Sequence, residues 1–363
     1  MENIYEDLRQ KLDGMSKGFP KSKGGAEYRA LEALFTPEDA EYAVALTAEF
    51  ETPAQVAARM GRDVETVAAR LQDMSKRGLI YRVRKEKEAE YRLMPWIVGI
   101  WEYQVNKGSL NLDLLTAIRQ YFVQGFGNTI WSGKTPLFRT LPVNTEVVSD
   151  SKVLPYDDVM KILEKKERFA VARCLCRQAT AARGRQCKHI NHPLETCLAL
   201  DDWGDYLVEN GDARYITREE AKALLDLNEK EGLVILTSNS SESIDFICSC
   251  CSCCCGALSV MNNFPSPSRE LAGNYVCRLD TSLCIKDHGC SACVDRCQVF
   301  AHRMVDGQVQ YHQESCIGCG LCISVCPVKA LRLEIKPHDK INKPPKTTWE
   351  MLKIVAAERM GEQ

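Results

Sequence analysis

The sequence predicts a multidomain α+β protein, and three observations carry this prediction. The chain has 363 residues, enough for two or three domains. Helical and strand-like patterns follow one another through its first two thirds. All 19 cysteines lie after residue 173, and fifteen of them fall between Cys248 and Cys326. The cysteines therefore belong to the later domains. The domains before them must be stabilised by an ordinary hydrophobic core.

Composition excludes several classes of protein. With 45% hydrophobic residues and a net charge of −2, the chain is neither disordered nor steered as a whole toward nucleic acid or anionic membrane. No run of 18 apolar residues exists, so no membrane span is expected. The first residues, MENIYEDLRQKLDG, lack the apolar core of a secretory signal. We therefore expect a cytoplasmic protein, in which dense cysteine pairs bind metal rather than form disulfides.

Residues 1–30 are expected to form a helix followed by a mobile glycine-rich arm, and residues 31–95 a separate domain. In that domain Thr52 and Gln55 have the spacing of a capping box, and Asp63 can cap a second helix. Two strands, Leu79–Val83 and Tyr91–Leu93, follow. This order resembles the winged-helix domains of small bacterial regulators.

The charges of the winged-helix-like segment favour protein docking over DNA contact. Residues 51–92 carry ten basic and seven acidic side chains. Phosphate binding needs clustered lysines and arginines, and interleaved acids repel phosphate. The charge pattern therefore predicts a protein, rather than DNA, as the partner of this segment.

Residues 96–246 are expected to form a mixed α/β middle domain with a metal site. Cys174 and Cys176 follow the predicted strand Phe169–Ala172, and Cys187 and Cys197 come after them. Thiolates select zinc, copper(I) or iron–sulfur clusters. These four cysteines are a complete set for an iron–sulfur cube or for zinc.

A cysteine run opens the next segment, residues 247–274. Six cysteines occupy eight positions: Cys248, Cys250, Cys251, Cys253, Cys254 and Cys255. Crowding prevents all six from binding one cube, so three or four are expected to hold a further cluster. The other cysteines are expected to bind another metal, to contact the cluster ligands, or to take part in redox reactions. Together with the upstream set, the run predicts one or two further iron–sulfur clusters, with zinc as an alternative.

Residues 275–336 contain the most specific motif. Cys316, Cys319, Cys322 and Cys326 have the spacing C-x2-C-x2-C-x3-C, followed by proline. An earlier copy, around Cys290, Cys293 and Cys297, repeats part of it. This segment resembles the two-[4Fe–4S] bacterial ferredoxins, in which the fourth cysteine of each run ligates the other cluster.

The resemblance implies two ligand sets and one-electron transfer between two clusters. The first set is Cys284, Cys290, Cys293 and Cys326, and the second is Cys316, Cys319, Cys322 and Cys297. The first copy departs from the pattern because five residues separate Cys284 from Cys290 and Gln298 replaces the proline. Cys277 is therefore a rival to Cys284.

The C-terminal tail, residues 337–363, contains an amphipathic stretch that is expected to dock on its own chain or on a partner. The whole arrangement resembles a group of 4Fe-4S-binding proteins of anaerobes, which implies electron transfer. No catalytic acid, base or nucleophile is evident, so we expect a partner oxidoreductase to supply the substrate chemistry and this subunit to link it to a soluble carrier. Two alternatives stay open: a redox-sensing winged-helix transcription regulator, and an enzyme with substrate at Cys248–Cys255.

Overall fold

The computed structural model describes residues 3–86, 88–104, 112–129, 133–143, 154, 157–189, 192–262, 271–285 and 289–361. Its N-terminal part consists of five helices and a hairpin: α1 (Ile4–Asp13), α2 (Ala26–Glu32), α3 (Pro37–Ala45), α4 (Pro53–Met60), α5 (Val64–Lys76), β1 (Tyr81–Arg84) and β2 (Ala89–Arg92). Thr52 and Gln55 cap α4 reciprocally, and Asp63 caps α5. The helices and hairpin expected for residues 31–95 are present, whereas membership of the winged-helix family stays a prediction.

The segment expected to be a mobile arm is packed. Phe19 is fully buried, with its ring 5.0 Å from that of Trp96 and 4.6 Å from that of Tyr121. The glycines around it allow tight turns, and Gly18 has a φ of +81°. The glycines indicated flexibility, but one aromatic side chain fixes the segment on the core.

The middle of the chain forms one six-stranded sheet with helices around it. Its elements are α6 (Leu112–Tyr121), α7 (Gly127–Thr129), β3 (Phe138–Leu141), α8 (Val159–Glu164), β4 (Phe169–Arg173), α9 (Leu175–Ala182), β5 (Glu195–Leu200), α10 (Asp201–Glu209), β6 (Ala213–Ile216), α11 (Arg218–Lys230), β7 (Val234–Ser238), β8 (Phe246–Cys250) and α12 (Gly256–Met261). The strand order is β3-β7-β8-β5-β4-β6, and every neighbouring pair is antiparallel. The cysteine run therefore starts on a central strand.

The N-terminal hairpin is fixed to this middle unit through α10. The Tyr206 hydroxyl donates to the carbonyl oxygens of Ser75 and Ile80, both at 3.0 Å. Glu209, at the end of α10, pairs with Arg82 at 2.7 Å and with Arg84 at 2.8 Å. The two arginines of β1 are thus paired with a neighbouring helix.

The C-terminal unit is built from two antiparallel strand pairs and one short helix. The elements are β9 (Tyr275–Leu279), α13 (Ala292–Arg296), β10 (His302–Val305), β11 (Gln308–Tyr311) and β12 (Leu331–Ile335). Strand β9 pairs with β12, and β10 pairs with β11.

The sequence repeat in this unit is also a structural repeat. The Ala301 N–H donates to Cys297 Sγ at 3.1 Å, and the Ala330 N–H donates to Cys326 Sγ at 3.2 Å. The residues preceding these alanines, Phe300 and Lys329, both have left-handed backbones, with φ of 54° and 52°. Each half therefore wraps its last cysteine in the same turn.

Helix α14 (Thr348–Met360) docks on its own chain. Met351 is fully buried, and the Thr348 hydroxyl donates to the Ser243 carbonyl oxygen at 2.8 Å. Arg359 pairs with Asp13 of α1 at 3.2 Å. Among the described residues, no helix combines the length and apolar character needed to cross a bilayer.

Candidate metal centres

The thiols of the second ligand set predicted for the C-terminal unit lie close to one another. Burial, and then the neighbouring thiols of Cys322, Cys297 and Cys316, raise the pKa of Cys319 well above its usual value. A group of buried thiols resists ionisation unless a cation neutralises it. Iron bound among them would supply that cation, so the residues present fit a cluster.

Three members of the first set are also neighbours. Burial raises the pKa of Cys293 to about 12, and the thiols of Cys322, Cys284 and Cys290 add to the shift. Cys326 lies near Cys322 and accepts the Ala330 N–H. Cys284 and Cys290 are thus both close to Cys293, despite the longer spacing that separates Cys284 from the rest of the motif.

Cys277 lies against the second set rather than the first. Its Sγ is 3.6 Å from Cys322 Sγ, and its backbone N–H donates to Cys316 Sγ at 3.5 Å. It is 1% exposed and stands on β9 opposite Leu333. This position argues against Cys277 as a substitute for Cys284 in the first set.

Sequence reasoning missed His302, which shares this buried region. A ring nitrogen of His302, Cys277 Sγ and Cys322 Sγ all lie within 4.8 Å of one another. The His302 ring stacks on Tyr311 at 4.8 Å, and burial lowers its pKa to about 4. A neutral imidazole here adds no charge beside the thiols. Its place directly after Ala301 in the repeat is the signal that could have revealed it.

Two glycines allow the cysteine loop to lie directly against its neighbours. A Cβ on Gly318 would stand 2.3 Å from the Tyr275 carbonyl oxygen, and one on Gly320 would stand 2.3 Å from the Val143 carbonyl oxygen. Both have positive φ, 69° and 81°. The Val143 N–H also donates to the Cys319 carbonyl oxygen at 3.0 Å. The loop is thereby clamped between β9 and the segment after β3.

The structure divides the ten remaining candidate cysteines into two groups. The six-thiol group consists of Cys174, Cys176, Cys197, Cys248, Cys250 and Cys255. The four-thiol group consists of Cys187, Cys251, Cys253 and Cys254. Spacing along the chain suggested that Cys187 joins Cys174, Cys176 and Cys197. In the structure Cys187 instead faces Cys251 and Cys253, because the loop that carries it lies over the turn after β8.

Strand alternation explains how the run is divided. Cys248 and Cys250 are two residues apart on β8 and therefore point to the same face of the sheet. On the neighbouring strand β5, Leu198 pairs with Ile247, which places Cys197 beside Cys248. Cys251, Cys253 and Cys254 lie in the turn that follows, and Cys255 directly precedes α12.

The six-thiol group lines a cavity of about 150 Å³. Its other walls are mostly apolar and include five aromatic side chains, Trp101, Phe122, Phe138, Trp203 and Phe246. Glu102 also lines the cavity; burial raises its pKa to about 8, and it accepts the Gly99 N–H at 2.8 Å. Such walls exclude water, and six separate thiolates would be costly to bury there. The cavity therefore favours a metal centre that neutralises most of their charge.

The four-thiol group is much more compact. Cys187 Sγ lies 3.8 Å from Cys251 Sγ and 3.7 Å from Cys253 Sγ. Cys253 Sγ lies 3.3 Å from Cys251 Sγ and 3.8 Å from Cys254 Sγ. The His189 N–H donates to Cys187 Sγ at 3.4 Å.

Gln298 joins the four-thiol group to the C-terminal unit. Its Oε1 accepts the Ser252 N–H at 2.9 Å and the Ser252 hydroxyl at 3.0 Å, and its Nε2 donates to the Gly232 carbonyl oxygen at 2.9 Å. Ser252 stands between Cys251 and Cys253, and Gln298 follows Cys297. The departure from the ferredoxin pattern at this position thus has a structural role, which proline could not fill because it has no side-chain amide.

Comparisons with known proteins support iron–sulfur binding over a short region of the chain. The 4Fe-4S binding domain family matches residues 309–332, which contain Cys316, Cys319, Cys322 and Cys326. An iron-sulfur protein of Rhodospirillum rubrum is 49% identical over 39 residues, 11% of this chain and 20% of that protein. One component of an ion-translocating oxidoreductase complex of Methanosarcina acetivorans is 38% identical over 45 residues, 12% of this chain and 17% of that protein.

The chain therefore spans about a fifth or less of the length of these relatives. No solved structure matches it. The matched segment shows that the chain carries a 4Fe-4S binding domain, and it supports iron–sulfur binding and electron transfer.

Proposed function

We propose that this chain is an electron-transfer subunit that passes single electrons between a soluble carrier and a partner oxidoreductase. Two [4Fe–4S] clusters in residues 275–336 and a further iron–sulfur centre in the six-thiol group would carry the electrons. The observation that carries this proposal is the 4Fe-4S binding domain matched over residues 309–332, whose cysteines lie close to those of the earlier copy of the motif.

The clusters, when bound, supply one-electron redox chemistry, and the chain controls their surroundings. Backbone N–H groups donate to sulfur at Cys297, Cys316 and Cys326. Such hydrogen bonds stabilise negative charge on the ligands and raise the reduction potential. Burial of the cysteines excludes water from the same region.

The partner's docking surface would lie on the C-terminal unit, beside ligands of both sets. Three large apolar side chains there are exposed: Leu283, Phe300 and Met304. Leu283 precedes Cys284, and Phe300 follows Cys297 by three residues. Apolar side chains of this kind favour protein contact. The relative from Methanosarcina acetivorans is named as part of an oxidoreductase complex, which supports a protein partner of that class.

The ion pairs of the N-terminal part argue against the regulator alternative. Its arginines pair with acids: Arg59 with Glu51, Arg62 with Glu41, Arg70 and Arg77 with Asp39, and Arg82 and Arg84 with Glu209. Arg92 lies over the rings of Phe50 and Trp349. These cations are already neutralised or covered, whereas phosphate binding needs accessible positive charge.

We therefore expect no measurable binding to duplex DNA. The measurement is fluorescence anisotropy of labelled duplexes at about 100 mM salt, with oxidised and with dithionite-reduced protein. Binding that weakens steeply with salt and differs between the two redox states would instead support a regulator.

Metal analysis tests the electron-transfer proposal. Anaerobically purified protein is expected to hold at least about twelve iron atoms per chain, eight in the C-terminal unit and the rest in the six-thiol group. Reduced methyl viologen should bleach its visible absorbance in a stopped-flow experiment, and the reduced protein should show cluster signals by electron paramagnetic resonance. About eight iron atoms would remove the third centre, and colourless protein that dithionite does not reduce would refute the proposal.

A further inference from the structure

The four-thiol group has the dimensions of a site for one metal ion. In a tetrahedral zinc site each Zn–S bond is about 2.3 Å, so neighbouring sulfurs are about 3.8 Å apart. Three of the four measured Sγ–Sγ separations in this group are 3.7 to 3.8 Å, and the fourth is 3.3 Å. All four Sγ atoms lie within 4.8 Å of one another.

The other cysteine sets provide an internal comparison. A cube binds each thiolate to a different iron at a different corner, so its ligands stand further apart than those of a single ion. Within the described ranges, no three cysteines of the six-thiol group or of either C-terminal set have Sγ atoms that all lie within 4.8 Å of one another. Cys322 does lie within 4.8 Å of Cys277 and His302, but that group offers three ligand atoms. Among the described residues, four thiols this close together are found at the four-thiol group.

The surroundings also favour metal-bound thiolates. The backbone N–H groups of Lys188 and His189 donate to the thiols of Cys253 and Cys187, respectively. The Thr180 side chain interacts with Cys254. Such donors offset part of the charge of four thiolates.

The site connects two distant parts of the chain. Cys187 lies in the loop between α9 and β5, and it meets Cys251, which is 64 residues later in the sequence. Arg177 holds the same loop by donating to the carbonyl oxygens of His189, His192 and Pro193. A closed set of four protein ligands leaves no position for substrate, as in structural zinc sites.

We infer that Cys187, Cys251, Cys253 and Cys254 bind a single Zn²⁺ ion that fixes the loop of residues 183–189 to the turn after β8. This inference goes beyond the proposed electron transfer, because the ion itself carries no electrons. It assigns ten cysteines to two different tasks: four hold a structural ion, and six form the neighbouring group. The two groups adjoin, because Cys251 and Cys254 also line the cavity. Zinc is preferred over iron because a tetrahedral set of four thiolates with no open position is its usual structural site.

Metal analysis of the intact chain, purified anaerobically from iron- and zinc-supplemented medium, tests the inference. We expect about one zinc ion per chain, and X-ray absorption at the zinc edge should show four sulfurs at about 2.3 Å. The Cys253→Ala variant should lose the zinc and keep its iron. The matched control, Cys248→Ala in the six-thiol group, should lose iron and keep its zinc.

Three results would overturn the assignment. They are wild-type protein without zinc, a Cys253→Ala variant that loses iron instead, and a zinc edge that shows nitrogen or oxygen ligands. The wild-type spectrum decides the question even if the variant fails to fold. Failure of the electron-transfer proposal would appear separately, as missing iron with the zinc content unchanged.

Discussion

Alanine at Cys319 is expected to remove one cluster, about four iron atoms, from the C-terminal unit. Cys319 lies among Cys322, Cys297 and Cys316, and the loop that carries it is clamped against Val143. Without its thiolate, one iron has no protein ligand, and the cluster becomes labile. Iron and sulfide counts, together with the loss of one of two interacting paramagnetic signals after reduction, measure the effect.

Cys277→Ala is the matched control for this variant. Cys277 lies in the same unit, is 1% exposed and stands 3.6 Å from Cys322, but it belongs to neither assigned set. The control should therefore keep its full iron content. If Cys277→Ala loses about four iron atoms and Cys319→Ala loses none, the second ligand set is wrongly assigned.

The largest loss of stability is expected at a buried ion pair that joins the middle sheet to the C-terminal unit. Arg139 of β3 and Asp157 lie 2.9 Å apart with side chains that are 0% and 1% exposed. The Asn274 amide donates to the same carboxylate at 2.9 Å. Arg139→Met leaves Asp157 as an unpaired buried charge, so the free energy of unfolding should fall by about 3–5 kcal/mol. Denaturant unfolding of anaerobic holoprotein measures this change.

Two further variants identify the cause. Lys161→Met breaks an exposed pair with Asp158 and should cost no more than about 1 kcal/mol. The double variant Arg139→Met/Asp157→Leu removes both charges and should be less destabilised than Arg139→Met alone. If the double variant is the less stable of the two, lost packing rather than the unpaired charge explains the effect.

Local signals in the sequence predicted local structure well. Thr52 and Gln55 form the capping box expected for α4, and Asp63 caps α5 as expected. These patterns act within one helical turn, and the hydrogen bonds that they specify are formed by residues close in sequence. The cysteine spacing of residues 316–326 located the 4Fe-4S binding domain for the same reason.

Contacts between residues far apart in the chain could not be predicted from the sequence. The division of the cysteine run depends on the alternation of β8 and on the pairing of β8 with β5, and neither follows from spacing. Cys187 looked like a partner of Cys174 because they are near in sequence, yet a loop brings it to Cys251. Likewise, Phe19 appeared to lie in a flexible arm because its two ring partners, Trp96 and Tyr121, are far along the chain.

Helix α14 has a consequence for biosynthesis. It contacts α1 through Arg359 and Asp13, places Trp349 beneath Arg92 of the hairpin, and meets the segment before β8 through Thr348 and Asp245. Domains generally fold in order as they leave the ribosome. Here α1 and the hairpin gain their full set of contacts only when residues 348–360 have been synthesised, so these early elements complete their packing only after that distant helix has left the ribosome.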